Sequence, residues 1–187
     1  MPVPAGRHRV GADRDRLTLR TARDGLAASV GHDLTIDVTR WQGELAIAPD
    51  GTPSGLDVRI DLTSLAVREG TGGVKPLTGR DRRDIGSNAR KVLSADRHPE
   101  AVFGDAKFEP GANGGGTISG TLTLAGRPGP FRLQVAESGE NHFRATGTVV
   151  QSAFGIKPYS GFFGALKVRD AVEIEVDVDF SQPEGTP

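Results

Sequence analysis

Apolar and charged residues alternate strictly near the end of the chain, where Val172, Ile174, Val176, Val178 and Phe180 interleave with Glu173, Glu175, Asp177 and Asp179. A period of two predicts a β-strand with one apolar and one charged face. The same alternation runs through Leu34-Ile36-Val38, Leu56-Val58-Ile60-Leu62 and Phe131-Leu133-Val135. Leu17-Thr18-Leu19 and Thr117 to Leu124 read as further strands. Turn-forming clusters separate these runs: Pro49 to Pro53, Gly111 to Gly116, Gly126-Arg127-Pro128-Gly129-Pro130 and Glu137 to Asn141. Connectors this short join antiparallel neighbours, because parallel strands need crossovers of about a dozen residues or more. The pattern therefore predicts a mainly antiparallel, all-β chain of hairpins and a meander. Gly120 and Gly147 fall inside strand patterns, which predicts bulges or sharp bends of the kind that curl a sheet into a barrel.

One segment breaks the period. Between Arg80 and Leu93, Ile85, Ala89, Val92 and Leu93 recur at helical spacing while Arg82, Arg83, Arg90 and Lys91 lie mostly on other faces. This predicts one amphipathic helix over 80–93. His98-Pro99 then ends the helical stretch and returns the chain to a strand around Ala101 to Phe108. With 187 residues and no linker-like stretch between unlike halves, a single domain over 7–181 is expected, with 1–6 and 182–187 as flexible termini.

Composition narrows the chemistry. The 23 basic and 24 acidic residues leave a net charge of -1, so no global positive field exists to hold nucleic acid. Cysteine is absent, which removes disulfides, thiolate metal sites and cysteine nucleophiles together. His8, His32, His98 and His142 show neither i, i+4 spacing nor an HExxH pattern, so neither metal nor cofactor is expected. No nucleophile-elbow or phosphate-loop motif is present. Charges interrupt every apolar run, so no segment is long enough to cross a bilayer, leaving only peripheral contact with a membrane. The charged amino-terminal stretch lacks an apolar signal region, and a cytoplasmic location is expected.

Several segments, taken in order, resemble one family. Gly31-His32-Asp33-Leu34-Thr35-Ile36, Trp41-Gln42-Gly43 and Ile60-Asp61-Leu62-Thr63-Ser64-Leu65 are similar to the opening half of a YceI-like domain. Val92 to Phe103 resembles that family's helix end, aromatic-Pro turn and following strand. Ile118 to Leu124, Phe154-Gly155-Ile156-Lys157 and Gly164 to Asp170 complete the likeness over roughly residues 7 to 180. The family's founding members are exported, whereas no export signal is expected here, and Ala125 to Pro130 stands in place of the family's Gly-Val-Thr turn.

The resemblance implies a lipocalin-like, eight-stranded antiparallel barrel with a helix at one side and an elongated apolar pocket for a polyprenyl or similar lipid tail. The expected function is non-catalytic binding or carriage of a polyprenol, isoprenoid quinone or fatty acyl chain. An enzyme acting on a lipid-like substrate, or a solid-cored interaction module, is the alternative. A homodimer is compatible with the resemblance, and the residues do not demand one. The candidate lining residues are Leu34, Ile36, Val38, Trp41, Leu122, Leu124, Phe131, Phe143, Phe154, Phe162 and Phe163. Phe162-Phe163 reads either as a loop closing a cavity mouth or as one packed on the helix. His32 ties down a strand end, reaches a ligand head group or, in the enzyme alternative, works as acid and base with a carboxylate brought by the fold; its neighbour Asp33 does not form a dyad with it, because adjacent residues rarely face each other.

Overall fold

A computed structural model describes residues 3–111 and 114–181. Of the expected termini, 1–2 and 182–187 therefore lie outside the described residues. The strands in chain order are β1 (Gly6–Gly11), β2 (Arg16–Thr21), β3 (Arg23–Asp24), β4 (Asp33–Val38), β5 (Trp41–Ile47), β6 (Pro53–Asp61) and β7 (Leu65–Thr71). After the helix α1 (Gly79–Val92) come β8 (Glu100–Pro110), β9 (Gly116–Leu124), β10 (Arg127–Gly139) and β11 (His142–Val150), then the short β12 (Ser160–Gly161) and β13 (Leu166–Val168), and finally β14 (Ala171–Asp179).

The main sheet has the order β1-β5-β6-β8-β9-β10-β11-β14-β2-β4-β7 and is antiparallel throughout. Its register reveals that some segments are halves of one strand. Gly11 lies opposite Gln42 and Thr18 opposite Asp37, so β1 and β2 run along the same partner, β5 followed by β4. That partner is itself flanked by β6 and β7, with Trp41 opposite Ile60 and Val38 opposite Leu65. The eleven segments are thus eight strands, three of them long and bent at mid-length. From β6 the ladder passes through β8, β9, β10, β11 and β14, and β14 pairs with β2, which returns it to the bent strands. This is a strongly curled, up-and-down antiparallel barrel.

Polar groups fix the corner where the long strands bend. Ser64 Oγ accepts from the Arg40 N–H (3.0 Å) and donates to the Asp61 carbonyl (2.7 Å). Asp61 also accepts from the Thr63 N–H (2.7 Å) and from Arg40 Nε (2.8 Å). Buried backbone polar groups released from the ladder at the bend must find partners, and these side chains supply them.

The strand interiors follow the alternation. In β14 the register sets Val172, Ile174, Val176 and Val178 opposite Val149, Gly147, Ala145 and Phe143 of β11. Gly120 faces Phe131 across the β9–β10 pair, and β8 carries an irregularity at Gly104–Lys107 beside it. A Cβ at Gly120 would stand 2.6 Å from the Gly104 carbonyl oxygen and 2.7 Å from the Phe103 ring, so the glycine there is required by close approach, as its place in the strand pattern suggested. Gly147 lies in regular register instead, under the Phe131 ring.

One expected turn is corrected. Residues 128–130 are strand, with Pro128, Gly129 and Pro130 opposite Thr123, Leu122 and Thr121, and the reversal is confined to Ala125-Gly126, both at positive φ (51° and 75°). Two-residue hairpin loops of this kind match the strand twist. Proline lacks the N–H a central strand must donate, but β10 acquires its second neighbour only from Leu133 onward, so its opening residues tolerate two prolines.

Helix α1 packs against β7. Its bounds match the expected segment to within a residue at each end, and Thr78 caps it in a reciprocal box with Asp81.

Candidate ligand-binding site

The antiparallel meander sorts the connections to two ends. The β5–β6, β8–β9 and β10–β11 turns meet at one, here the turn end. The β2–β4 segment, the β7–α1 loop and the β11–β14 connection meet at the other, here the loop end, where β3, β13 and β12 form a small separate sheet. Between them lies a cavity of about 1670 Å³, above the roughly 300–1,000 Å³ of ordinary small-molecule pockets. It extends from Thr52, Gly115 and Glu137 at the turn end to His32, Lys75 and Tyr159 at the loop end.

The wall between is aliphatic and aromatic. Leu34, Ile36 and Val38 of β4 and Trp41 of β5 face Leu122 and Leu124 of β9, Phe131 of β10 and Phe143 of β11 around the cavity. The same inward alternation adds Leu17, Leu19, Val58, Ile60, Ala145, Ile174, Val176 and Val178. Phe143 and Ala145 point inward yet are only half-buried, because they border empty space. Other parts of the wall are fully buried and belong to two clusters, one joining Leu62, Ala101, Phe103 and Leu124 to Ala95, Phe154 and Ile156 behind them, the other joining Val10, Leu17, Val38 and Trp41.

Ten of the twelve residues expected from sequence border the cavity, including His32 and Phe162. Phe154 does not. It ends a 3-10 turn (Gln151–Phe154), is buried in the first cluster, and presses its ring on Gly129, where a Cβ would come within 2.9 Å. Phe163 does not either, because it follows the cavity-lining Phe162 and is fully exposed. Helix α1 turns Ile85, Ala89 and Val92 toward the cavity, and Leu93, which caps its end, lines it as well; none is fully buried.

Polar side chains gather at the loop end. Arg23, His32, Lys75, Asp81, Asp84, Asn88, Tyr159 and Lys167 all contribute to the rim. His32 Nε2 donates to the Lys75 carbonyl (2.8 Å), tying the start of β4 to the β7–α1 loop. Gly73 accommodates that ring, since a Cβ there would lie 2.5 Å from Nε2. Asp33 does not pair with His32; it accepts from the Arg23 backbone N–H (2.8 Å). Arg23 NH1 in turn donates to the Gly31 carbonyl (2.8 Å). Asp81 is occupied by Thr78, whose hydroxyl and N–H hold its carboxyl below the usual aspartate range. Lys75 and Lys167 make no ion pair with the described residues.

Among these rim groups only His32 had been singled out from sequence. Lys75 and Lys167 sit in stretches without periodicity, and nothing local marks them; the long connections carry them to the rim. No group of three histidines or carboxylates among the described residues could hold a metal ion, and no helix among them is long and apolar enough to cross a membrane.

Comparison with known proteins gives one sequence family and several structural neighbours. The family model described as a YceI-like domain matches residues 17–180. BcnA of Burkholderia cenocepacia is similar in structure, with a TM-score of 0.59 at 14% identity over 89% of this chain and 96% of that one. The YCEI protein of Campylobacter jejuni gives a TM-score of 0.56 at 18% identity, covering 80% of this chain and 85% of that one. At such identities the likeness establishes the fold alone. No curated protein matches the sequence.

Proposed function

The chain belongs to the YceI-like family, and from that premise we propose that it is a non-catalytic carrier. It takes up an amphiphile with an isoprenoid or fatty-acyl chain in the barrel and holds the polar head at the His32 rim. The observation that carries this reading is the cavity itself, about 1670 Å³ and walled by aliphatic and aromatic side chains. Burying a methylene contributes about 0.8 kcal/mol, so ten chain carbons supply roughly 8 kcal/mol before ordering costs. Dispersed apolar contacts are enough for that, and no specific polar contact along the tail is needed.

The distribution of polar groups favours carriage over catalysis. An enzyme needs acid, base or nucleophile converging on one reacting atom. Here the wall between the two ends is apolar, and the rim groups His32, Arg23 and Asp81 are already engaged with backbone or capping partners. Lys75 and Lys167, which make no ion pair with the described residues, suit an anionic or strongly polar head.

Native mass spectrometry of the purified chain, followed by organic extraction, tests the proposal. A stoichiometric apolar adduct that is lost on denaturation is the expected result. A clean apo mass, with no uptake of added polyprenol, isoprenoid quinone or fatty acid, would overturn it.

A further inference from the structure

The exposed apolar residues of this molecule are not scattered. Among the described residues, the large apolar side chains that stand in solvent are Leu26, Val30, Val74, Val150, Phe162 and Phe163. All six lie at the loop end: two in the β2–β4 segment, one in the β7–α1 loop, one at the end of β11, and two in the β12–β13 loop. Single exposed apolar residues are ordinary on any surface, whereas a gathering at one pole marks an interaction site. Val30, Val74 and Phe162 are both solvent-exposed and part of the cavity lining. The apolar surface is therefore continuous from the outside of the loop end into the barrel.

Backbone geometry holds the foremost of these side chains out. Phe162 and Phe163 both take left-handed φ (49° and 54°), followed by Gly164 at 89°, a conformation that bulky residues rarely adopt. The loop is pinned on both sides, by pairing of β12 with β13 and of β13 with β3. The neighbouring segment is fixed to it through the Ala27 N–H donating to the Ala165 carbonyl (2.8 Å). Leu26 and Phe163 thus stand on adjoining, braced loops.

Charge identifies what meets this face. Lys75, Lys157, Lys167 and Arg169 are exposed at the same end, and none makes an ion pair with the described residues. The carboxylates at this end each have a partner within the molecule: Asp24 accepts from the Gly25 N–H, Asp33 from the Arg23 N–H, Asp81 from Thr78 and Asp170 from Ser152, while Asp84 lies 3.8 Å from the Arg80 guanidinium. We propose that the loop end docks on an anionic lipid surface, with Leu26 and Phe163 inserted among the acyl chains and the four cations against the head groups. Protruding apolar tips beside basic residues suit an interface of this kind. The orientation puts the cavity rim against the bilayer, which deepens the carrier reading by giving an apolar ligand a route that avoids water.

Flotation of the full chain with phosphatidylcholine vesicles, with and without phosphatidylglycerol, tests this. The wild type is expected to float with the anionic vesicles. Phe163→Ser and Leu26→Ser, at fully exposed positions, should each weaken partitioning about tenfold, and Lys167→Glu should weaken it several-fold on anionic vesicles only. Absence of wild-type flotation overturns the proposal, as does equal partitioning of the variants. A Phe163-dependent dimer in sedimentation velocity, without vesicle binding, would instead make this face a contact between copies. Uptake of a solvent-dispersed fatty acid, followed through the Trp41 emission, separates the two readings. Lost uptake with flotation intact removes the carrier function alone, and the reverse removes docking alone.

Discussion

Phe162 and Phe163 hold left-handed backbone where glycine would be at ease. For an ordinary residue that conformation costs roughly 1–2 kcal/mol, and Phe163 recovers none of it by burial, since its ring is fully exposed. Strain of this sort persists only where the surroundings impose it. Phe163→Gly is therefore expected to stabilise the chain by up to about 1 kcal/mol once the added unfolded-state entropy of glycine is counted. A higher thermal midpoint than wild type checks this, and a lower one would mean that the ring packs against something. At Gly155 the same left-handed conformation (φ 69°) is met by glycine itself, closing the turn that places Phe154 in the core.

The helix is the element whose stability is most local. No residue of α1 is fully buried, so little packing backs it up and its cap matters more than in a core helix. Thr78 Oγ1 accepts from the Asp81 N–H (3.2 Å) and the Asp81 carboxylate accepts from both Thr78 groups. Thr78→Ala should cost about 1 kcal/mol of helix stability. The pH dependence has a definite sign. Asp81, Asp61, Asp50 and Asp179 are all held below the ordinary aspartate value of 3.8, chiefly by side-chain hydrogen bonds from Thr78, Thr63, Thr52 and Ser181. A depressed carboxyl contributes stability that is complete above the unfolded value and is lost as pH falls through the folded one. Asp15 has the opposite sign, because burial raises it. Acid unfolding is thus expected below pH 3.8, and the far-ultraviolet helix signal of Thr78→Ala should fade at a higher pH than that of wild type. Coincident acid titrations would show that the box contributes nothing.

At the level of the whole molecule, the interior is walled rather than filled, and this changes what substitution does. Enlarging a residue in a packed core usually costs about 1–3 kcal/mol through overpacking. Ala145 instead borders the cavity midway along β11, so Ala145→Trp should fold with near wild-type stability while occupying the space a ligand needs. Loss of apolar-ligand uptake in a folded protein would support the carrier reading, whereas unchanged uptake would place the ligand elsewhere. The single tryptophan offers the readout: Trp41 is buried at the cavity wall, and its emission should move when the cavity fills.

Period-two alternation set the strands and their inward faces, because side chains alternate across a strand whatever lies beside it. Ile174, Val176 and Leu34 were therefore legible as interior positions, and the helix was legible from its own spacing. Alternation could not say whether those faces meet each other or a void, since both demand the same apolar residues; the pairing of β14 with β2 and the resulting circumference decided that. Adjacent strand residues face opposite ways, yet alternation could not say which of Phe162 and Phe163 enters the cavity, because a three-residue left-handed turn, rather than strand geometry, directs them. Lys75 and Lys167 carried no local mark at all. They lie about ninety residues apart, and only the closure of the barrel brings the loops that hold them to one rim.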